Sequence, residues 1–282
     1  MSGRDKRRQE RTRTGEVPAA LTRWGPARRA ALATAAAVGA LLIAVLLIYP
    51  TASRGLDGLT GDEAPPKLSA VIIDQLSLTA PNPEFAQSAT EMLEDAGYAV
   101  DYYPGEEITV NFYRYLPTRG YDLLIFRTHS GLVEETEAGT GETRSTDYVA
   151  LFTGEPYSDT KYDEPVGRLG AAVYREGGDE YFAIAPDFIT DSMLEDFDGA
   201  TVLMMGCDGL RSQLTADAFI QKGVSSFVSW DDKVTAAHTD TATENLLQKL
   251  LFEELPIREA VTQTASEVGP DPDYGSNLLA YP

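Results

Sequence analysis

The only cysteine of the 282-residue chain, Cys207, stands where an apolar run gives way to a turn, in TVLMMGCDGL over residues 201–210. His129, one of two histidines, holds the matching place in YDLLIFRTHSG. A thiol is mostly protonated at neutral pH, so a cysteine nucleophile needs an imidazole or a helix N-terminus beside it. Together the two residues could carry nucleophilic catalysis if the fold brings them to one place. Singly, each has an ordinary explanation, because free cysteines are commonly buried and inert and a histidine after a strand often only makes a structural hydrogen bond. Their shared setting favours chemistry: each ends an apolar run, and each is followed by Gly within two residues. A helix beginning near Arg211 would bring its positive end up to Cys207.

The surrounding elements must position that pair. LSAVIID reads as a strand, and PEFAQSATEMLEDAG as a helix with Phe85, Ala89, Met92, Leu93 and Ala96 on one face and Gly97 as its stop. YAVDYYPG is a second strand, NFYRYLPTRG a short helix closed by Pro117 and Gly120, and YDLLIFRTH a third strand. The rhythm resumes with GATVLMMGC, SQLTADAFIQKG, VSSFVSW, TDTATENLLQKLLFEEL and IREAVTQTASEVG, before a C-terminal tail. Apolar strands alternating with amphipathic helices predict an α/β fold, a three-layer α/β/α sandwich around a mostly parallel sheet. Ligands in such folds bind at the carboxyl ends of the strands, where His129 and Cys207 both fall. Between residues 132 and 197 the pattern breaks into a polar loop and extra strands, with Glu176-Gly177-Gly178-Asp179 as a hairpin turn.

Charge is unevenly spread. Asp and Glu number 44 against 23 Lys and Arg, giving −21, yet residues 1–30 hold nine basic residues and three acids, so the remainder stands near −27. A body of that charge is a poor partner for nucleic acid. Residues 30–49, AALATAAAVGALLIAVLLIY, are twenty uncharged residues, enough to span a hydrocarbon core of about 30 Å as a helix. Arg23, Arg28 and Arg29 precede it, so the positive-inside rule predicts a basic cytoplasmic segment (1–29), a transmembrane helix (30–49), a linker (50–66) and an extracytoplasmic domain (67–282) in the cell membrane. A cleaved signal peptide ending near Thr51-Ala52-Ser53 is the rival reading. One cysteine allows no internal disulfide. No cofactor and no metal are expected. Calcium is compatible with so many carboxylates, but no loop has EF-hand spacing.

An apolar block ending in His, then a spacer, then an apolar block ending in Cys resembles the caspase-fold cysteine peptidases, a group that includes caspases, gingipains, clostripain and the bacterial CHAT domains. GVSSFVSWDDKV and LLQKLLFEELPIREAVTQTA resemble their later strand and closing helices, so the likeness runs over roughly residues 67–265. It implies peptide or protein substrates, with Cys207 as nucleophile, His129 as general base, and the backbone N–H groups of Gly131 and Cys207 as oxyanion donors. It implies too a substrate pocket beside the nucleophile, in which Asp208, Asp231 and Trp230 are candidates and whose acids would favour Arg or Lys. Ser130, between His129 and Gly131, and Gly206-Cys207-Asp208 depart from the usual pattern. The alternative is an inactive caspase-like domain acting as a cell-surface binding module. A glutamine-amidotransferase arrangement would pair Cys207 with the later His238, but Met205 stands where its elbow needs Gly.

Overall fold

The computed structural model describes residues 22–23, 68–136, 143–175 and 177–282. The proposed membrane span (30–49), the linker (50–66) and most of the polar loop at 137–142 lie outside the described residues. Among those residues, no helix is long and apolar enough to cross a membrane.

In chain order the elements begin with a two-residue strand, β1 (Thr22–Arg23), and continue with β2 (Ser69–Asp74), α1 (Pro83–Asp95), β3 (Ala99–Pro104), α2 (Val110–Tyr115) and β4 (Leu123–Arg127). The segment after His129 forms β5 (Ser130–Thr136), β6 (Thr143–Pro156), β7 (Leu169–Val173), β8 (Glu180–Ile184) and α3 (Pro186–Asp191). Then come β9 (Thr201–Met204), α4 (Leu214–Gln221), β10 (Ser226–Trp230), α5 (Ala236–Leu251), α6 (Ile257–Val268) and β11 (Leu278–Tyr281). The central sheet runs β11-β10-β9-β4-β2-β3. Five of its strands are parallel, and β11 adds antiparallel to β10.

Strand alternation sorts the side chains into two layers, as a period of two requires. Ala70 and Ile72 of β2, Leu123 and Ile125 of β4, and Val228 and Trp230 of β10 face α1, α5 and α6, against Phe85, Leu93, Leu246 and Ala260. Val71, Ile73, Leu124, Phe126, Val202 and Met204 point the other way, against α2, α3 and α4 through Tyr113, Phe188 and Phe219. Both faces are therefore covered, which is why the strands read as unbroken apolar runs rather than alternating ones.

The insertion forms its own antiparallel sheet in the order β5-β6-β8-β7, and β1 pairs with β5 and β7. The expected hairpin between β7 and β8 is present, with Gly177 at φ 71 supplying the left-handed turn residue. Three expectations need correction. The insertion carries a helix as well as strands, because Phe188 and Ile189 of α3 fill the layer beneath α4. The segment read only as a C-terminal tail contains a strand, since LLAY closes the sheet edge as β11. Finally, α4 starts at Leu214, so residues 205–213 are a looping turn and the helix near Cys207 is α5.

Candidate active site

β4 and β9 are in register at Phe126 and Met204. His129 and Cys207 each lie three residues further on, so the two leave the sheet side by side at its carboxyl edge. They open into one cleft of about 480 Å³. Its walls come from five places: the loop after β2 with Thr79, the strand ends with His129 and Cys207, the entry to α5 with Val234, the β7–β8 hairpin with Tyr174, and the segment between α6 and β11 with Tyr274.

The His129 ring is held on several sides. Its Nε2 lies 2.7 Å from the Thr79 hydroxyl, and its backbone N–H donates to the Gln75 side-chain carbonyl at 2.9 Å. Tyr174 stacks on the ring at 5.4 Å and Phe152 tilts against it at 6.1 Å. Burial, with the nearby Arg127 charge, lowers the imidazole pKa to about 4. The ring is neutral at pH 7.

Cys207 is half-buried, and its thiol donates to the Val234 carbonyl at 3.6 Å. Burial pushes the thiol up to about 11, and the Asp208 and Asp271 carboxylates add to the rise. No hydrogen bond joins thiol and imidazole in this state. The resting pair is thus two neutral groups sharing a cleft rather than a thiolate–imidazolium ion pair.

The turn carrying Cys207 is shaped by its neighbours. Gly206 is required, since a Cβ there would collide with Ser130 Oγ and the Thr128 carbonyl. Ser130 uses that closeness, donating its hydroxyl to the Cys207 carbonyl at 2.7 Å and tying the two strand ends together. Asp208 follows at φ 62, a left-handed value that Asp tolerates better than most residues. Its N–H donates to the Asp232 carbonyl at 3.0 Å, and its carboxylate meets Arg211 at 3.3 Å.

The other candidates fall elsewhere. Trp230 is in the core under α5, its indole N–H donating to Thr239 at 2.9 Å, because β10 turns that position toward the helix layer. Asp231 accepts from the backbone and side-chain N–H groups of Asn277 in the tail. Asp208 is buried against Arg211. Gly131 lies inside β5 opposite Ala150, where its backbone belongs to the sheet rather than the cleft. None of these four residues lines the cleft. His238 opens α5, packs on Trp230 at 5.2 Å and approaches the Gly269 carbonyl, also away from the cleft.

Sequence reasoning missed what surrounds the pair. Gln75 and Thr79 belong to a polar turn directly after β2, and strand pairing alone brings them to His129. Beneath them Arg127, almost fully buried, makes ion pairs with Asp74 at 2.7 Å and Asp240 at 2.8 Å. A charged residue ending an apolar strand, as in LLIFR, was the available signal for that network.

No protein-family model matches the chain, and no curated protein does. Among solved structures the chain is similar to the Arg-specific cysteine proteinase gingipain R, at 12% identity and a TM-score of 0.41 over 71% of this chain. It spans 42% of that chain, less than half of it. Protein GSU0716 of Geobacter sulfurreducens is similar at 14% identity and a TM-score of 0.35, over 76% of this chain and 93% of that one.

Proposed function

We propose that the chain is a membrane-anchored cysteine endopeptidase of the caspase-like class, with Cys207 as nucleophile and His129 as general base. The observation that carries this reading is the register of β4 and β9, which sets the two residues side by side at the rim of one cleft. Because both groups rest neutral, imidazole would take the thiol proton as sulfur attacks the peptide carbonyl. It would then return that proton to the leaving amine, leaving an acyl-enzyme for water to hydrolyse. The Cys207 N–H has no protein acceptor among the described residues and is the donor available to the oxyanion. Ser130 and Gly206 keep the two strand ends at fixed separation while this happens.

Acid-quenching the full-length chain during turnover of a peptide ester tests this directly. The expected result is a mass gain equal to the acyl group, located on Cys207 and absent in Cys207→Ala. Hydrolysis without any adduct, or an adduct on another residue, would refute the role of Cys207.

A second reading follows from the bond between the thiol and the Val234 carbonyl. A thiol so engaged suits an inactive domain that binds a partner in the same cleft. Absence of both turnover and adduct would favour it.

A further inference from the structure

In a chain of net charge −21, the cleft is lined by two cations that have no carboxylate partner among the described residues, Lys233 and Arg175. Lys233 follows β10 and is half-buried; Arg175 stands exposed on the β7–β8 hairpin. The acids around Lys233 are already engaged. Asp208 and Asp232 both meet Arg211, at 3.3 and 3.0 Å. Asp271 accepts from the Thr235 N–H and hydroxyl and from the N–H groups of Asp273 and Tyr274. Asp179, exposed on the hairpin with Arg175, is the one acid among the described residues that lines the cleft.

We infer that Lys233, assisted by Arg175, makes this a site for an acidic group, so that a substrate carboxylate beside the scissile bond is what the cleft selects. The reaction itself rests on the peptidase reading, but the charge preference does not. A half-buried lysine with no carboxylate partner among the described residues gains more from an incoming carboxylate than a fully solvated surface lysine would, because water screens it less. Lys233 also lies close enough for its charge to act on the Cys207 sulfur, opposing the Asp208 and Asp271 carboxylates that raise the thiol, so a group held by it sits near the sulfur. The acids that the sequence suggested for a basic-residue pocket, Asp208 and Asp231, lie outside the cleft.

The test uses the full-length chain in detergent and its single thiol. Rates of Cys207 alkylation by iodoacetate, an anion, and by iodoacetamide, its neutral counterpart, are followed by intact mass at low salt. Both reagents need the same thiolate, so their ratio, divided by that of a free cysteine peptide, isolates the charge of the cleft. The expected ratio is at least about fivefold above the peptide's, shrinking in high salt. Lys233→Gln should return it to the peptide value, and Arg175→Gln should lower it by less. A wild-type ratio at or below the peptide's, a ratio unmoved by Lys233→Gln, or no alkylation by either reagent overturns the inference.

Matched peptides carrying Asp, Asn or Lys before the scissile bond complete the test. Preference for Asp, lost by about tenfold relative to Asn in Lys233→Gln, supports the inference. Cleavage with Lys at least as good as Asp overturns it while leaving the peptidase reading intact. No cleavage at all, with the alkylation ratio still dependent on Lys233, removes the peptidase reading and leaves a cleft that binds acidic ligands.

Discussion

His129 is the residue whose environment has the plainest consequence in solution. Burial and the Arg127 charge lower its pKa to about 4, against about 6.5 in an unfolded chain. Below pH 6.5 the unfolded state takes up a proton that the folded state refuses, so acid favours unfolding. Stability from this source falls as pH drops from about 6.5 to about 4 and changes no further below that. Its total is at most on the order of 3 kcal/mol. Urea unfolding of wild type and His129→Gln across this range should show a steeper decline in wild type; parallel curves would contradict a buried neutral imidazole. Position along a strand singled out His129 and Cys207 in the sequence, and the register of β4 and β9 brings both to one cleft. Strand position could not tell which way the next side chains point, and that is why Trp230, Asp208 and Asp231 were misplaced. Trp230 occupies the helix-facing phase of β10, and the two aspartates turn toward Arg211 and Asn277.

At the scale of elements, α5 is fastened to the sheet just below the cleft. The Thr239 hydroxyl accepts the Trp230 indole N–H and donates to the Met205 carbonyl at 3.0 Å, two residues before Cys207. Arg127 adds a second fastening, joining β4 to Asp240 of α5 and to Asp74 of β2. Thr239→Val keeps the shape and removes both hydrogen bonds, leaving a buried donor and a buried acceptor unpaired. The expected cost is about 2 kcal/mol of unfolding free energy, read from the shift of the urea midpoint, given the desolvation penalty of such groups. Cys207 should also alkylate faster, because the turn that holds it loosens. A variant as stable as wild type would show that α5 is held by apolar packing alone. Neither fastening was legible beforehand, since each depends on residues more than thirty or a hundred positions apart. The β–α alternation itself was legible, because strands covered on both faces cannot hide their apolar runs. LLAY, only four residues long at the end of a polar tail, gave too short a signal to be read as a strand.

For the whole molecule, the proposed membrane anchor and the pairing of β1 make opposite demands on residues 1–29. A span over residues 30–49 with the domain outside leaves residues 1–29 inside, and that arrangement excludes the pairing of Thr22–Arg23 with Val133, Glu134 and Ala171. Both cannot hold in one molecule. The anchored reading expects a cysteine introduced at Ser2 to resist a membrane-impermeant maleimide in intact cells, while one at Asp159 in the domain reacts, each in a Cys207→Ser background. Equal labelling of both would contradict the anchored topology and fit the paired strand.

The account stands on Cys207 and His129 acting as one chemical unit. Its most direct test is kcat/KM for peptide cleavage by wild type, Cys207→Ala, His129→Ala and the double variant. Residues that work together lose their effect together, so each single change should cost about a thousandfold or more and the double change little beyond that. Full turnover in Cys207→Ala, or losses that simply multiply in the double variant, would contradict it.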